Sequence, residues 1–274
     1  MPHRLLAWLL AALTMTSGIT ARAEPAFQSI VVLGDSLSDI GNAGRFSNGP
    51  AWVEVLARRL NLPLRPSQVG GTDFAVGGAR LDPGSGPASL RAQAEHYLAG
   101  PRSSGRTLYV VYGGGNDLLA AMGRADPEAV VDAAGAALRD IVMNLMAHGA
   151  ADLLIPNLPD IGMTPAVQGF GPAALAQARV LSERFNAAVA AVWRDAEAAH
   201  PGIVRVYRLD VHALAESVRR DPQASGFREI RQPCAGLGRC DGYLFWDDVH
   251  PTTQAHARLA EAALRVLKDS VRTP

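Results

Sequence analysis

The chain has 274 residues, and its 26 Lys and Arg balance its 26 Asp and Glu to a formal net charge of zero at pH 7. Basic residues that are scattered and not in excess exclude the electrostatic footprint of a nucleic-acid binder. With 48% hydrophobic residues the chain can bury a sizeable core, which excludes a disordered polymer.

The first residues have the pattern of an export signal. His3 and Arg4 give a positive start, Leu5 to Leu13 is an apolar run too short to span a bilayer, and Ala21-Arg22-Ala23 is a small-x-small cleavage site. Residues 1–23 are therefore expected to be a signal peptide and residues 24–274 the mature chain, exported to the periplasm or secreted. An uncleaved membrane anchor is the alternative. No later stretch approaches the ~20 uninterrupted apolar residues of a membrane span.

Strand and helix patterns then alternate. Ile30 to Gly34 is a β-branched strand bounded by Gly and Asp. Ala51 to Leu60 places Trp52, Val55, Leu56 and Leu60 at helical spacing behind Gly49-Pro50. Phe74-Ala75-Val76 is a short apolar run that ends in Gly77-Gly78. Pro87 to Leu98 reads as a helix and Thr107 to Tyr112 as a continuous buried strand. Asp126-Pro127-Glu128 offers an N-cap, an N1 proline and an early acid for a long helix that runs to His148-Gly149. Asp152 to Pro156 is the next strand, Pro172 to Ala199 an Ala-rich helix, and Val204 to Tyr207 another strand. Pro222 to Gly242 is the least regular segment and is expected to loop beside the site. A last helix starts at Pro251-Thr252-Thr253 and carries Leu259, Ala263 and Leu267. Strands that are apolar throughout and separated by helices point to one α/β domain, with a parallel sheet covered on both faces.

Four short pieces carry chemistry. Gly34-Asp35-Ser36-Leu37 ends the first strand, where open α/β sheets form their ligand crevice. A serine there is a nucleophile if a base takes its proton, and an ordinary helix-capping residue if none does. The Gly-x-Ser-x-Gly elbow is absent, since Leu37 and Ser38 follow Ser36. Of seven histidines, His250 is the candidate base, because Asp247 stands three residues before it and can fold back onto one ring nitrogen. Asp248 competes for that role. His96, His148, His200, His212 and His256 fall within or at the ends of helices and read as solvated or capping residues. Gly78 and Asn116 each follow a strand on the rim that Ser36 occupies, and can offer a backbone N–H and a side-chain amide to an oxyanion.

The two cysteines, Cys234 and Cys240, are expected to close a small disulfide loop in an exported protein, with free buried thiols as the alternative. Phe46, Trp52, Phe170, Phe245 and Trp246 are candidates for the apolar walls of a substrate groove, and equally for core.

Gly34-Asp35-Ser36-Leu37, Gly78, the Gly-x-Asn-Asp block at Gly114 to Asp117, and Asp-x-x-His at Asp247 to His250 together resemble the GDSL, or SGNH, serine hydrolases. All four blocks occur in order across essentially the whole mature chain. The resemblance implies a three-layer α/β/α sandwich with a flavodoxin-like parallel sheet. It makes Ser36 the nucleophile, Asp247 and His250 its acid and base, and the Ser36 N–H, Gly78 and Asn116 the oxyanion hole. Ser38 to Asn42, Gly44 to Pro50 and Asn157 to Asp160 narrow the likeness to the bacterial exported esterase, phospholipase and haemolysin branch. There Asp35 and Asn42 are expected to hold the serine loop by hydrogen bonding. Asp73 stands where these relatives commonly carry Asn, a change expected to affect loop structure more than chemistry. Some members continue into an outer-membrane β-barrel, whereas this chain stops after its last helix, so a free exported enzyme is implied.

The expected activity is hydrolysis of small-molecule or lipid acyl esters through an acyl-serine, with transient contact to a lipid surface and with no metal or organic cofactor. Acyl transfer and carbohydrate deacetylation use the same residues and stay open. A non-catalytic lipid- or glycan-binding protein is the reading from a different class. Oligomeric state is not written in the sequence.

Overall fold

Ile30, Val31, Val32 and Leu33 are all at most 1% exposed, so this strand has no face to give to solvent and is stable only inside a sheet covered on both sides. A computed structural model, which describes residues 27–269 apart from 82–85, 87, 102 and 104, places it there. The expected signal peptide, residues 1–23, lies outside the described residues.

Four parallel strands lie in the order β1 (Ser29–Gly34), β2 (Thr107–Tyr112), β3 (Asp152–Pro156) and β4 (Arg205–Leu209). Residues 72–76 run along the free side of β1 as a short irregular edge. Val32 N–H donates to the Thr72 carbonyl at 3.0 Å, Phe74 N–H to Val32 at 2.8 Å and Val76 N–H to Gly34 at 3.1 Å. Ser36, Gly78 and Asn116 thereby leave neighbouring strands on one C-terminal rim.

The helices are α1 (Trp52–Arg59), α2 (Leu90–Ala99), α3 (Gly115–Ala121), α4 (Pro127–Ala147), α5 (Pro165–Gln168), α6 (Pro172–Ala199), α7 (Val211–Arg220) and α8 (Thr253–Asp269). On one face of the sheet α1 packs against α8; on the other α4 lies between α2 and α6. Trp52, Leu56, Leu108, Leu138, Phe185 and Leu264 are buried between these layers, in the three-layer arrangement expected. The caps explain the boundaries. Asp126 accepts the Ala129 N–H at 3.0 Å to start α4, and Gly149 follows its end with φ +95°. Among the described residues no helix is long and apolar enough to cross a membrane.

Three local features differ from or add to the sequence reading. The glycines Gly113, Gly114 and Gly115 lead into a helix that reading does not contain, because α3 begins at Gly115 and takes Asn116 into its first turn. Asp210 caps α7, a helix the strand–helix reading above does not contain, by accepting the Ala213 N–H at 2.9 Å. The segment Pro222 to Gly242 is not all loop. It contributes β5 (Glu229–Pro233), which pairs in parallel with β6 (Tyr243–Phe245) just before Asp247. Cys234 and Cys240 form a disulfide within that segment, with Cα atoms 5.2 Å apart.

Candidate active site

After Gly34 the backbone turns sharply. Ser38 and Asp39 N–H groups both donate to the Asp35 carbonyl at 3.0 Å, and Leu37 N–H donates to Asp35 Oδ1 at 3.0 Å. This turn sets Ser36 on the rim with its side chain facing the loop that enters α8. There His250 Nε2 lies 2.9 Å from Ser36 Oγ.

Asp247 shapes that second loop before it touches the ring. Its Oδ1 accepts the Val249 N–H at 2.9 Å and the His250 N–H at 2.7 Å, an Asx-type turn that brings residue 250 back over residue 247. His250 Nδ1 then lies 2.7 Å from Asp247 Oδ2. With the carboxylate accepting at Nδ1, the neutral ring keeps its proton there and leaves Nε2 free to accept from the serine hydroxyl. Partial burial disfavours the Asp247 carboxylate, but the His250 ring and the two N–H donors outweigh it and hold its pKa below the ordinary value. Asp248, the competitor, is exposed, and its carbonyl accepts the Ala166 N–H of α5 at 2.9 Å. Phe46 packs on the His250 ring with centroids 5.2 Å apart.

The two oxyanion candidates sit side by side. Gly78 adopts φ +77°, a left-handed turn that aims its backbone without a side chain in the way, and nothing lies within 4 Å of where a Cβ would stand. Asn116 Nδ2 donates to the Ala79 carbonyl at 2.9 Å, tying the start of α3 to the Gly78 turn.

Beneath the serine loop lies a polar frame that is only partly legible in sequence. Asn42 behaves as expected: its Nδ2 donates to the carbonyls of Asp73 at 2.8 Å and Ala75 at 2.9 Å, binding the loop to the edge segment. Asp39 was not singled out, yet its carboxylate accepts four backbone N–H groups, from Gly41, Asn42, Ala43 and Gly77. Its spacing before Gly41-Asn42 in the serine block is the only sequence signal of that role. Buried Asp73 accepts the Ile40 N–H at 3.0 Å and the Ala75 N–H at 3.1 Å, and burial pushes its carboxyl up to about 8. Burial likewise pushes Asp35 up to about 7 against its bond from Leu37.

His256 is neither solvated nor capping. It is 1% exposed, burial pushes it down to about 3, and its neutral Nδ1 accepts the Trp52 N–H at 3.2 Å. Trp52 is core and not groove wall, and its indole N–H donates to Ser38 Oγ at 3.1 Å. An apolar cavity of ≈ 140 Å³ lies behind the site, where Leu37 and Val249 meet Met163, Leu214, Phe227 and Phe245.

Comparison with known proteins fits this arrangement. The family model for GDSL-like lipases and acylhydrolases matches residues 30–263. The phosphatidylcholine-sterol acyltransferase of Aeromonas hydrophila is 27% identical over 314 residues, covering 89% of this chain and 91% of its own. The thermolabile hemolysin of Vibrio parahaemolyticus is 28% identical over 295 residues, covering 92% of this chain, which spans only 66% of the hemolysin. Among solved structures, an acetylxylan esterase from Geobacillus stearothermophilus superposes with a TM-score of 0.56 at 17% identity, covering 88% of this chain and 94% of its own. A lipolytic G-D-S-L family protein from Veillonella parvula gives 0.53 at 15% identity, covering 90% and 100%. At such low identity the structural likeness speaks for the fold alone. The sequence match spans most of the chain and both ends of the site, and the protein belongs to the GDSL-like lipase/acylhydrolase family.

Proposed function

We propose that the protein is an exported serine esterase that hydrolyses carboxylic acyl esters, with residues 24–274 as a single hydrolase domain. The observation that carries the reading is the unbroken chain of contacts from Asp247 through His250 to Ser36, at 2.7 and 2.9 Å. A hydroxyl is a weak nucleophile until a base takes its proton, and a histidine held by a carboxylate is such a base.

In this reading His250 Nε2 takes the Ser36 proton as Oγ bonds to the ester carbonyl carbon. The oxyanion rests on the Ser36 and Gly78 N–H groups and the Asn116 amide. His250 then returns the proton to the alkoxy oxygen, the carbon–oxygen bond to the alcohol breaks, and an acyl-serine remains. Water gives a proton to His250 and attacks that acyl carbon. Ser36 leaves with the proton from His250, and a carboxylic acid is released. Throughout, Asp247 stays ionised and stabilises the imidazolium. Export is supported by the signal pattern of residues 1–23 and by a disulfide, a bond that persists in oxidising compartments.

The test is turnover of p-nitrophenyl acetate by the mature protein and by Ser36→Ala. Turnover should vanish in the variant, and wild-type turnover there would overturn the reading. A second reading is supported by the acyltransferase relative: an alcohol in place of water accepts the acyl group. A sterol ester formed when cholesterol is added to an acyl donor would establish it.

A further inference from the structure

We propose that Phe46 is the wall against which the alcohol half of the ester lies, and that it selects esters of apolar alcohols. The proposal rests on the esterase reading and deepens it by naming the part of the substrate that one side chain discriminates.

Phe46 touches both sides of the candidate site. Its ring packs on the His250 ring, with centroids 5.2 Å and planes 35° apart. It also lies directly on the backbone of Gly77, where an added Cβ would collide with the ring. Gly77 precedes the Gly78 turn, so Phe46 bridges the proposed base and the proposed oxyanion turn. The side chain is only partly buried, which leaves it apolar surface beyond these two contacts.

The segment that carries Phe46 is held from both directions. Ser47 Oγ donates to the Pro251 carbonyl, next to His250, at 3.0 Å, and Thr253 N–H donates to Asn48 Oδ1 at 2.8 Å. Before it, Arg45 donates to both carboxylate oxygens of Glu54 in α1, at 2.6 and 3.0 Å, and to the Gly49 carbonyl at 2.9 Å. The neighbours of Phe46 are thus tied to α8 on one side and to α1 on the other. A wall fixed in advance discriminates well, because little ordering is left to be done when a substrate binds.

The geometry of attack says which half of the ester meets that wall. Once Ser36 Oγ has bonded to the carbonyl carbon, three other substituents remain on it. The oxyanion turns to the Gly78 and Asn116 donors, and the alkoxy oxygen turns to His250 Nε2, which protonates it. The acyl chain is the substituent directed at neither. Phe46 bridges His250 and the Gly78 turn, so the two substituents on its side are the oxyanion and the alkoxy group, and only the second carries a chain. An apolar alcohol buries its first carbons against the ring, while the acyl chain leads away from it.

The experiment compares two ester series with wild type, Phe46→Ala and Phe46→Leu. One series lengthens the alcohol, from methyl to hexyl acetate; the other lengthens the acid, from methyl acetate to methyl hexanoate. Any general loss of activity cancels in the ratio of kcat/KM between long and short members. A fully buried methylene contributes roughly fourfold, so loss of this one wall should lower the hexyl-to-methyl acetate ratio roughly tenfold in Phe46→Ala. Phe46→Leu, which keeps apolar bulk in case the alanine variant does not fold, should lower it roughly threefold. The acid series should keep its ratio in both variants. A hexyl-to-methyl ratio unchanged in the variants would overturn the proposal, even with all esters slowed alike, since that is what a purely structural Phe46 predicts. An equal fall in both series, or a fall in the acid series alone, would overturn it too. In each of those cases wild type is still an esterase; if wild type hydrolysed no ester of either series, the esterase reading itself would fall and this proposal with it.

Discussion

The Asp39 carboxylate accepts the Gly77 N–H at 2.8 Å, and in doing so locks the loop of Ser36 to the turn of Gly78. Each of its oxygens serves two backbone donors, Oδ1 those of Gly41 and Asn42, Oδ2 those of Ala43 and Gly77. An amide nitrogen cannot accept, so Asp39→Asn turns two of these donors towards a third. At about 1–3 kcal/mol for each of the two donors left unmet, the variant should lose about 2–6 kcal/mol. Thermal unfolding should show a Tm lower by roughly 5–20 °C, with kcat for p-nitrophenyl acetate reduced more than KM is raised. An unchanged Tm would remove Asp39 from the frame.

Asp247→Asn should leave the loop nearly in place and still cost about 10³–10⁴-fold in kcat. The Asn side chain can donate to Nδ1, which drives the ring proton to Nε2, where it blocks acceptance from Ser36. A steady-state comparison with wild type checks this. A loss below about tenfold would mean that the tautomer is fixed by something other than Asp247.

The disulfide is coupled to His250 through backbone. Cys234 N–H donates to the Phe245 carbonyl at 3.1 Å and Ala235 N–H to Trp246 at 2.7 Å, while Trp246 N–H donates to His250 at 2.8 Å. With the cysteines only six positions apart, loop closure contributes about 2 kcal/mol. Reduction, or the double variant Cys234→Ala/Cys240→Ala, should lower Tm and kcat together. Equal turnover with and without reductant would show that β6 holds His250 unaided.

Two buried carboxyls give stability a pH dependence of definite sign. Asp35 is raised from 3.8 to about 7 and Asp73 from 3.8 to about 8, both by burial. Between those values the folded chain holds protons that the unfolded chain has released. Their contribution is complete below about pH 4 and is lost as pH rises through about 7 and 8. Tm should therefore decline across this window, and Asp35→Asn, whose Oδ1 still accepts the Leu37 N–H, should decline less steeply. Parallel curves for the two proteins would exclude a raised Asp35.

What was legible in the sequence was local. The runs Ile30–Gly34, Thr107–Tyr112 and Asp152–Pro156 can bury both faces only as interior strands, and they do. Asp-x-x-His was readable because three residues of turn suffice to bring carboxylate and ring together. The helix α3 was hidden because three glycines read as a turn, although Gly114 takes φ +110° and caps the helix. The signal for α7 was present in Asp210 followed by Val211, Leu214 and Val218 at helical spacing. Burial of His256 was not readable, because it depends on α8 meeting α1 across the fold. Nor was Asp39, whose fourth donor comes from Gly77, far along the chain.

Ser36 and His250 are separated by 214 positions, and their contact joins the loop after β1 to the loop that enters α8, the helix packed against α1. The proposed nucleophile is among the earliest parts of the fold to be synthesised and the proposed base among the last. On those proposed roles, hydrolysis requires the two ends of the chain to have met. Recovery of esterase turnover during refolding would then time the meeting of these two distant segments.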